Sequence, residues 1–305
     1  MIPYKIVRSR RKTAAIHITY DDLINQDIDV TAEQQRRIRE KINSVLTYEP
    51  RIGIFSKSGV GKSSLCNALF GRDICPIDDV EACTRKPQEV LLDMGGKGIK
   101  LIDVPGVGES NKTNKEYAKL YASLLPELDL ILWLLKADER AYSIDETIYK
   151  DIIKPHINAG KPIFFVLNQC EKIEPSDEWD YENNRPGATQ FENLARKAAV
   201  VSRFFNVAES LIIPISSKMK YNLSRLVDEI VFALPNEKKI TFLRSITEEN
   251  RSDESICEVK RAWYEILGEV IISVAKIGKD VIFKMLDNSK NRLERFLDKI
   301  FGWIG

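Results

Sequence analysis

The chain has 305 residues, 44% of them hydrophobic and 30% charged, with a formal net charge of +1. That composition suits one large α/β domain with an appendage, and it excludes a disordered or collagen-like chain. The charge supplies no global field toward nucleic acid or acidic lipid; five cysteines without a CxxC argue against a disulfide framework or a zinc site; and no run approaches the ~18 apolar residues needed to span a bilayer.

Residues 1–30 read as an N-terminal extension, with strand character at Tyr4–Val7 and Ala15–Tyr20 around a basic turn; its charges interrupt any signal-peptide core. Thr31-Ala32-Glu33-Gln34 is a capping box that opens a helix to about Val45. Ile52–Phe55 is a buried strand, and Lys62–Phe70 has helical periodicity after the Gly59-Val60-Gly61 turn. Strands are predicted at Glu89–Asp93 and Lys100–Val104, a helix near Glu116–Leu125, and a fully buried strand at Leu128–Leu135. Asp145–Ile157 is helical and Pro162–Leu167 another buried strand. The acidic loop from Glu171 to Gly187 has Trp179 and Tyr181 as its expected anchors. Phe191–Phe205 is a helix, Leu211–Ile215 a strand and Leu223–Leu234 a helix; beyond Pro235 only helices follow. Strands alternating with helices imply a mostly parallel sheet covered on both faces. The expected domains are therefore 31–235, including an N-terminal helix, and a helical C-terminal region, 236–305.

Between the first buried strand and its helix stands Ser56-Lys57-Ser58-Gly59-Val60-Gly61-Lys62-Ser63-Ser64. Strand, glycine turn and helix N-terminus in this order make a phosphate cradle, because backbone N–H groups and the helix dipole converge on an anion. Residues Lys57 to Ser64 are the expected nucleotide contacts. Lys62 would reach the β- and γ-phosphates and Ser63 would ligate Mg²⁺. The pattern ordinarily begins with glycine; Ser56 stands there instead, and a serine is worse wherever φ is positive or the backbone must approach a ligand closely. Asp103-Val104-Pro105-Gly106 ends a predicted strand, where Asp103 can hold Mg²⁺ through water and Gly106 can turn its N–H toward a γ-phosphate. Thr84, in the loop after the first helix, would complete the Mg²⁺ shell. Asn168-Gln169-Cys170-Glu171 follows a buried strand; an acidic Glu171 accepts from the two adjacent N–H groups of guanine, a pair adenine lacks. Ser216 and Ser217 would offer backbone contacts to the guanine carbonyl. These segments together select GTP/GDP with Mg²⁺, with an ATPase as the rival.

With these segments in order, the chain resembles the translation-factor-related P-loop GTPases, and more closely the bacterial YfjP/YkfA/YeeP-type GTPases, among the Era/dynamin-like enzymes. The strings that carry the resemblance are Gly59 to Gly71, Asp103 to Ser110, Leu130-Ile131-Leu132-Trp133, Lys136-Ala137-Asp138-Glu139-Arg140-Ala141 and Asn168-Gln169. It implies a Ras-like G domain of the P-loop NTPase fold in the cytoplasm. The position that orients the attacking water in the Ras type holds Val107, which implies slow intrinsic hydrolysis. Some relatives hold a potassium ion with an asparagine where Gly59 stands here. Glu109 and Arg140 are candidate replacements; Glu109, with Lys62 and Thr84, completes the expected catalytic set.

Loops Asp73–Pro87 and Pro105–Asn114 are the expected switches, ordering on the γ-phosphate and relaxing on hydrolysis. Self-association or a protein partner would use these loops and the C-terminal helices, and nothing in the sequence signals nucleic-acid binding. From Lys276 to Gly305 there are seven basic and four acidic residues, with an apolar stripe ending at Trp303. Packing on the G domain or a second subunit is weighed there against a membrane-surface helix. The function expected is a GTP-hydrolysing switch; the alternatives are a dynamin-like protein and a nucleotide-binding regulator with negligible turnover.

Overall fold

The structure, a computed structural model, describes residues 4–8, 31–57, 59–71, 88–93, 98–103, 125–157 and 160–275. Its strands are β1 (Tyr4–Arg8), β2 (Arg51–Phe55), β3 (Gln88–Asp93), β4 (Gly98–Asp103), β5 (Leu130–Lys136), β6 (Ile163–Asn168) and β7 (Ile212–Pro214). They form one sheet in the order β1-β3-β4-β2-β5-β6-β7. Neighbours run parallel except β3 with β4. The helices are α1 (Ala32–Leu46), α2 (Lys62–Phe70), α3 (Ser143–Ile148), α4 (Ala188–Phe205), α5 (Leu223–Ala233), α6 (Asn236–Ser245) and α7 (Asp253–Ala275). The coil of α3 widens into a π-type turn at Tyr149–Ile153 and ends at Lys154–Ile157. This is the expected α/β architecture with a helical C-terminal region.

Strand alternation decides which helix lies on which face. Leu130, Leu132 and Leu134 of β5 join Phe164 and Val166 of β6 in a cluster with α1, α2, α5, α6 and α7. Ile131, Trp133 and Leu135 join Ile163, Phe165 and Leu167 on the other face, with α3 and α4. Both central strands are thus apolar throughout because both faces are covered. The capping box at Thr31 forms as predicted, with Thr31 and Gln34 exchanging bonds. The carbonyls of Ala68 and Leu69 at the end of α2 accept from Nδ2 of Asn250 (2.8 Å) and N–H of Thr247 (2.9 Å), so the turn between α6 and α7 caps the helix that leaves the glycine loop.

Two predicted features differ. α4 begins at Ala188, not Phe191, because the Glu178 carboxylate accepts from the N–H groups of Thr189 (2.9 Å) and Gln190 (3.2 Å); a cap ten residues upstream leaves no periodic signal. Trp179 is an anchor, buried and edge-on to Tyr221 at 5.5 Å, but Tyr181 is 67% exposed and anchors nothing. Ala15–Tyr20, the helix near Glu116, both switch loops and residues 276–305 lie outside the described residues. No helix among the described residues is long and apolar enough to cross a membrane.

α6 and α7 are joined by a buried ion pair between Lys239 and Glu258, and Arg261 donates to both Glu258 oxygens at 2.8 and 2.7 Å. The Arg261 hydrogen bonds, with Lys239 adding, outweigh burial and hold the Glu258 carboxyl at about 2. Because this folded-state value is below the ordinary one, the stabilisation is complete above about pH 4.5 and is lost as pH falls through about 2. Glu258→Gln is expected to melt lower than wild type at pH 7, with the gap closing between pH 4.5 and 2. Melting curves across that range check it; a gap independent of pH would contradict the linkage.

Candidate functional site

β2 ends at the carboxyl edge of the sheet, and the chain turns through residues 56–61 into α2. Gly59 and Gly61 have φ of +74° and +97°, a region other residues enter only with strain. A Cβ on Gly61 would also stand 2.6 Å from Nδ2 of Asn168. Gly61 caps α2 without a side-chain hydrogen bond, and no acidic residue lies in the first turn, which Lys62, Ser63 and Ser64 open. The first N–H groups of a helix have no partner within it; here they and the dipole face the turn and favour an anion. Ser56 is not among the positive-φ residues. It is buried, and its Oγ donates to the Lys57 carbonyl at 2.9 Å. Positive φ is therefore no reason for serine to weaken the loop.

The end of β6 braces this loop. Asn168 is 1% exposed. Its Nδ2 donates to the Val60 carbonyl (2.8 Å), and its Oδ1 accepts from the N–H (3.0 Å) and hydroxyl (2.9 Å) of Ser217. Gln169, at φ +65°, donates from Nε2 to the Gly59 carbonyl (3.1 Å), while its Oε1 accepts from Lys172 (2.8 Å). The buried Ser216 hydroxyl accepts from the Met219 N–H at 3.0 Å. Between them, the Cys170 thiol donates to the Ile215 carbonyl at 2.7 Å, and burial pushes its pKa well up, so it is inert packing. Glu171 follows in the short turn Cys170–Lys172; its Oε2 is buried and has no hydrogen-bond partner. A buried carboxylate oxygen left without a donor is costly, and a ligand presenting N–H groups would satisfy it.

Other expected residues fall differently. The Lys57 ammonium does not turn into the glycine cradle: it lies 2.8 Å from Glu139 Oε1 and 2.6 Å from Asp145 Oδ2, and it donates to the Ala141 carbonyl at 3.1 Å. What Lys57 retains for an anion is its backbone. Asp103 ends β4 in register with Ile54, which brings its backbone beside the loop; its side chain is outside the described residues. Ser58, Thr84, Gly106 and Glu109 are also outside them. Arg140 is exposed. Sequence reasoning missed Glu139 and Asp145 as partners of Lys57. For Glu139 the available signal was the 136–141 string, which follows a strand ending beside the loop; Asp145 lies beyond that string, on α3.

The sequence pattern of the 50S ribosome-binding GTPase family matches residues 51–169, the stretch from β2 to Gln169. YkfA of Escherichia coli is 36% identical over 239 residues, covering 78% of this chain and 81% of that protein. YfjP of the same organism is 35% identical over 239 residues, with the same coverage. Among solved structures, Era in complex with MgGDPNP and a segment of 16S ribosomal RNA has a TM-score of 0.47 at 28% identity, over 61% of this chain and 57% of that one.

Proposed function

The chain belongs to the YfjP/YkfA/YeeP-type family of P-loop GTPases, and from that premise we propose that it binds GTP and GDP with Mg²⁺ and hydrolyses GTP slowly as a cytoplasmic molecular switch. The observation that carries the reading is the loop of residues 56–61, with two left-handed glycines opening a helix that has neither a side-chain cap nor an acidic first turn. The phosphates would sit against the N–H groups of Gly59 to Ser64, with the Lys62 ammonium on the β- and γ-phosphates. The donor set suits a hard cation: the Ser63 hydroxyl in the first turn and Asp103 at the neighbouring strand end, with Thr84 closing the shell. Bound Mg²⁺ would neutralise charge that develops on the phosphate oxygens.

Guanine would occupy the space beside Glu171, whose unpartnered Oε2 accepts from its N–H edge. Asn168 and Gln169 hold the base loop and the phosphate loop at fixed separation; the backbone N–H groups of Ser216 and Ser217, expected on the guanine carbonyl, are bonded to the Tyr221 carbonyl and to Asn168 Oδ1 and would have to be shared with the base. Val107 leaves the attacking water without a glutamine, so turnover is slow unless Glu109 or a partner supplies the group. Gly106 and the flanking loops would respond to the γ-phosphate, giving the protein two states that a partner can read. Units 31–235 and 236–305 would act together through the cap that Thr247 and Asn250 place on α2.

Glu171→Ala is expected to weaken GDP binding by roughly 10- to 100-fold, the loss of hydrogen bonds to a charged acceptor, and to leave competition by ATP unchanged. Displacement of labelled GDP by unlabelled GDP and ATP, on wild type and variant, checks this. Equal displacement of labelled GDP by ATP and GDP in the wild type would defeat the guanine assignment. Single-turnover hydrolysis of GTP tests the switch; no phosphate release over hours would favour a binding regulator.

A further inference from the structure

The geometry points to Lys57 as a positioning residue: we propose that its ammonium, clamped by Glu139 and the buried Asp145, fixes the entry of the phosphate loop and makes no contact with phosphate. This rests on the nucleotide-binding reading above. Lys57 is the second residue after β2 and so sets the direction in which the loop leaves the sheet. Its partners lie on the segment after β5, where the string 136–141 runs along the loop. The Lys57 ammonium is 2.8 Å from Glu139 Oε1, 2.6 Å from Asp145 Oδ2 and 3.1 Å from the Ala141 carbonyl. The Lys136 ammonium lies 3.8 Å from where a Cβ on Gly59 would stand, and the Ala137 N–H donates to the Asn168 carbonyl at 2.9 Å. The loop is therefore held on two sides, by Asn168 and Gln169 from β6 and by Lys57 into the β5–α3 turn.

Asp145 makes this clamp rigid. Its side chain is 1% exposed, and the Trp133 indole N–H approaches its Oδ1 at 3.4 Å. Trp133 stacks on Phe55, the last residue of β2, with ring centroids 5.9 Å apart and planes at 3°. Glu139 is fixed in turn, because the Lys197 ammonium of α4 binds its carbonyl. Burial works against the charge on Lys57, but the contacts with Asp145 and Glu139 outweigh it and raise its pKa. Burial also raises the Asp145 pKa, with Lys57 opposing. An ammonium with two carboxylates as neighbours has most of its charge already compensated, so it is poorly placed to attract phosphate as well.

The test is a double-variant cycle read by melting of the nucleotide-free protein and by GDP titration. Lys57→Met leaves Asp145 without its cation and is expected to lower the melting temperature by roughly 5 °C or more, and GDP affinity by about 10-fold or more, as a misplaced loop requires. Asp145→Asn is expected to lower GDP affinity similarly although it touches no nucleotide. Lys57→Met/Asp145→Asn removes both charges, so melting should recover toward wild type while GDP affinity stays low; the two single losses do not add. Lys57→Arg should keep both properties. Wild-type affinity in the double variant would reduce the pair to a stabilising contact and overturn the proposal, as would an affinity loss confined to Lys57→Met. If the wild type itself binds no GDP, the nucleotide reading falls and this proposal with it; if it binds, the variants judge the clamp alone.

Discussion

Lys62→Ala is expected to weaken GDP and GTP binding by on the order of 100-fold or more while leaving the nucleotide-free fold intact. Lys62 is the first residue of α2, where the dipole and the N–H groups of the first turn already favour an anion. In the proposed complex its ammonium would add charge-assisted hydrogen bonds to two phosphates, each worth about 1.5–3 kcal/mol, or roughly tenfold or more in affinity. Alanine is the best helix former, so α2 should survive the change. Fluorescence titration with a labelled GDP, beside a melting curve of the apo protein, separates the two effects. Tight binding in this variant would move the phosphates elsewhere.

Asn168→Ala should damage both fold and binding. The residue is buried, and its amide satisfies three groups at once: the Val60 carbonyl and the N–H and hydroxyl of Ser217. Each buried group left without a partner costs about 1–3 kcal/mol. The total should be roughly 3 kcal/mol or more, a fall of about 6–12 °C in melting temperature for a chain of this size. The loss should reach a nucleotide bound there because Nδ2 of Asn168 packs where a Gly61 side chain would be, beside the turn that opens α2. Asn168→Asp keeps the acceptor for Ser217 but turns a carboxylate oxygen toward the Val60 carbonyl in a buried site, and should be no more stable than alanine. Differential scanning calorimetry with GDP titration checks both; an alanine variant that melts with wild type would show that the brace is dispensable.

The legible part of this molecule was the part written in short-range pattern. The double alternation of β5 and β6, the Thr31 capping box and the paired glycines 59 and 61 each specify local structure through nearby residues, and each takes the form expected. Contacts that join distant segments were not legible. Glu178 capping α4, Thr247 and Asn250 capping α2, and Glu139 with Asp145 holding Lys57 all depend on where the sheet brings separate turns together. Lys57 shows the consequence: its string gives no sign of the two carboxylates that the fold brings to its ammonium. Asn168 likewise braces the Val60 carbonyl and Ser217, contacts between separate segments that a local pattern does not reveal. Ser56 shows the reverse: a sequence carries no φ, and the strain feared for serine does not arise at that position.

The central claim is that the turn from β2 into α2 receives the phosphates of a guanine nucleotide. Titration calorimetry of the wild-type chain with GDP, GTP and ATP in the presence of Mg²⁺ tests it most directly. One site per chain, filled by GDP and GTP and far more weakly by ATP, is the predicted result. No heat and no saturation with GDP or GTP under conditions where the protein is folded would contradict it.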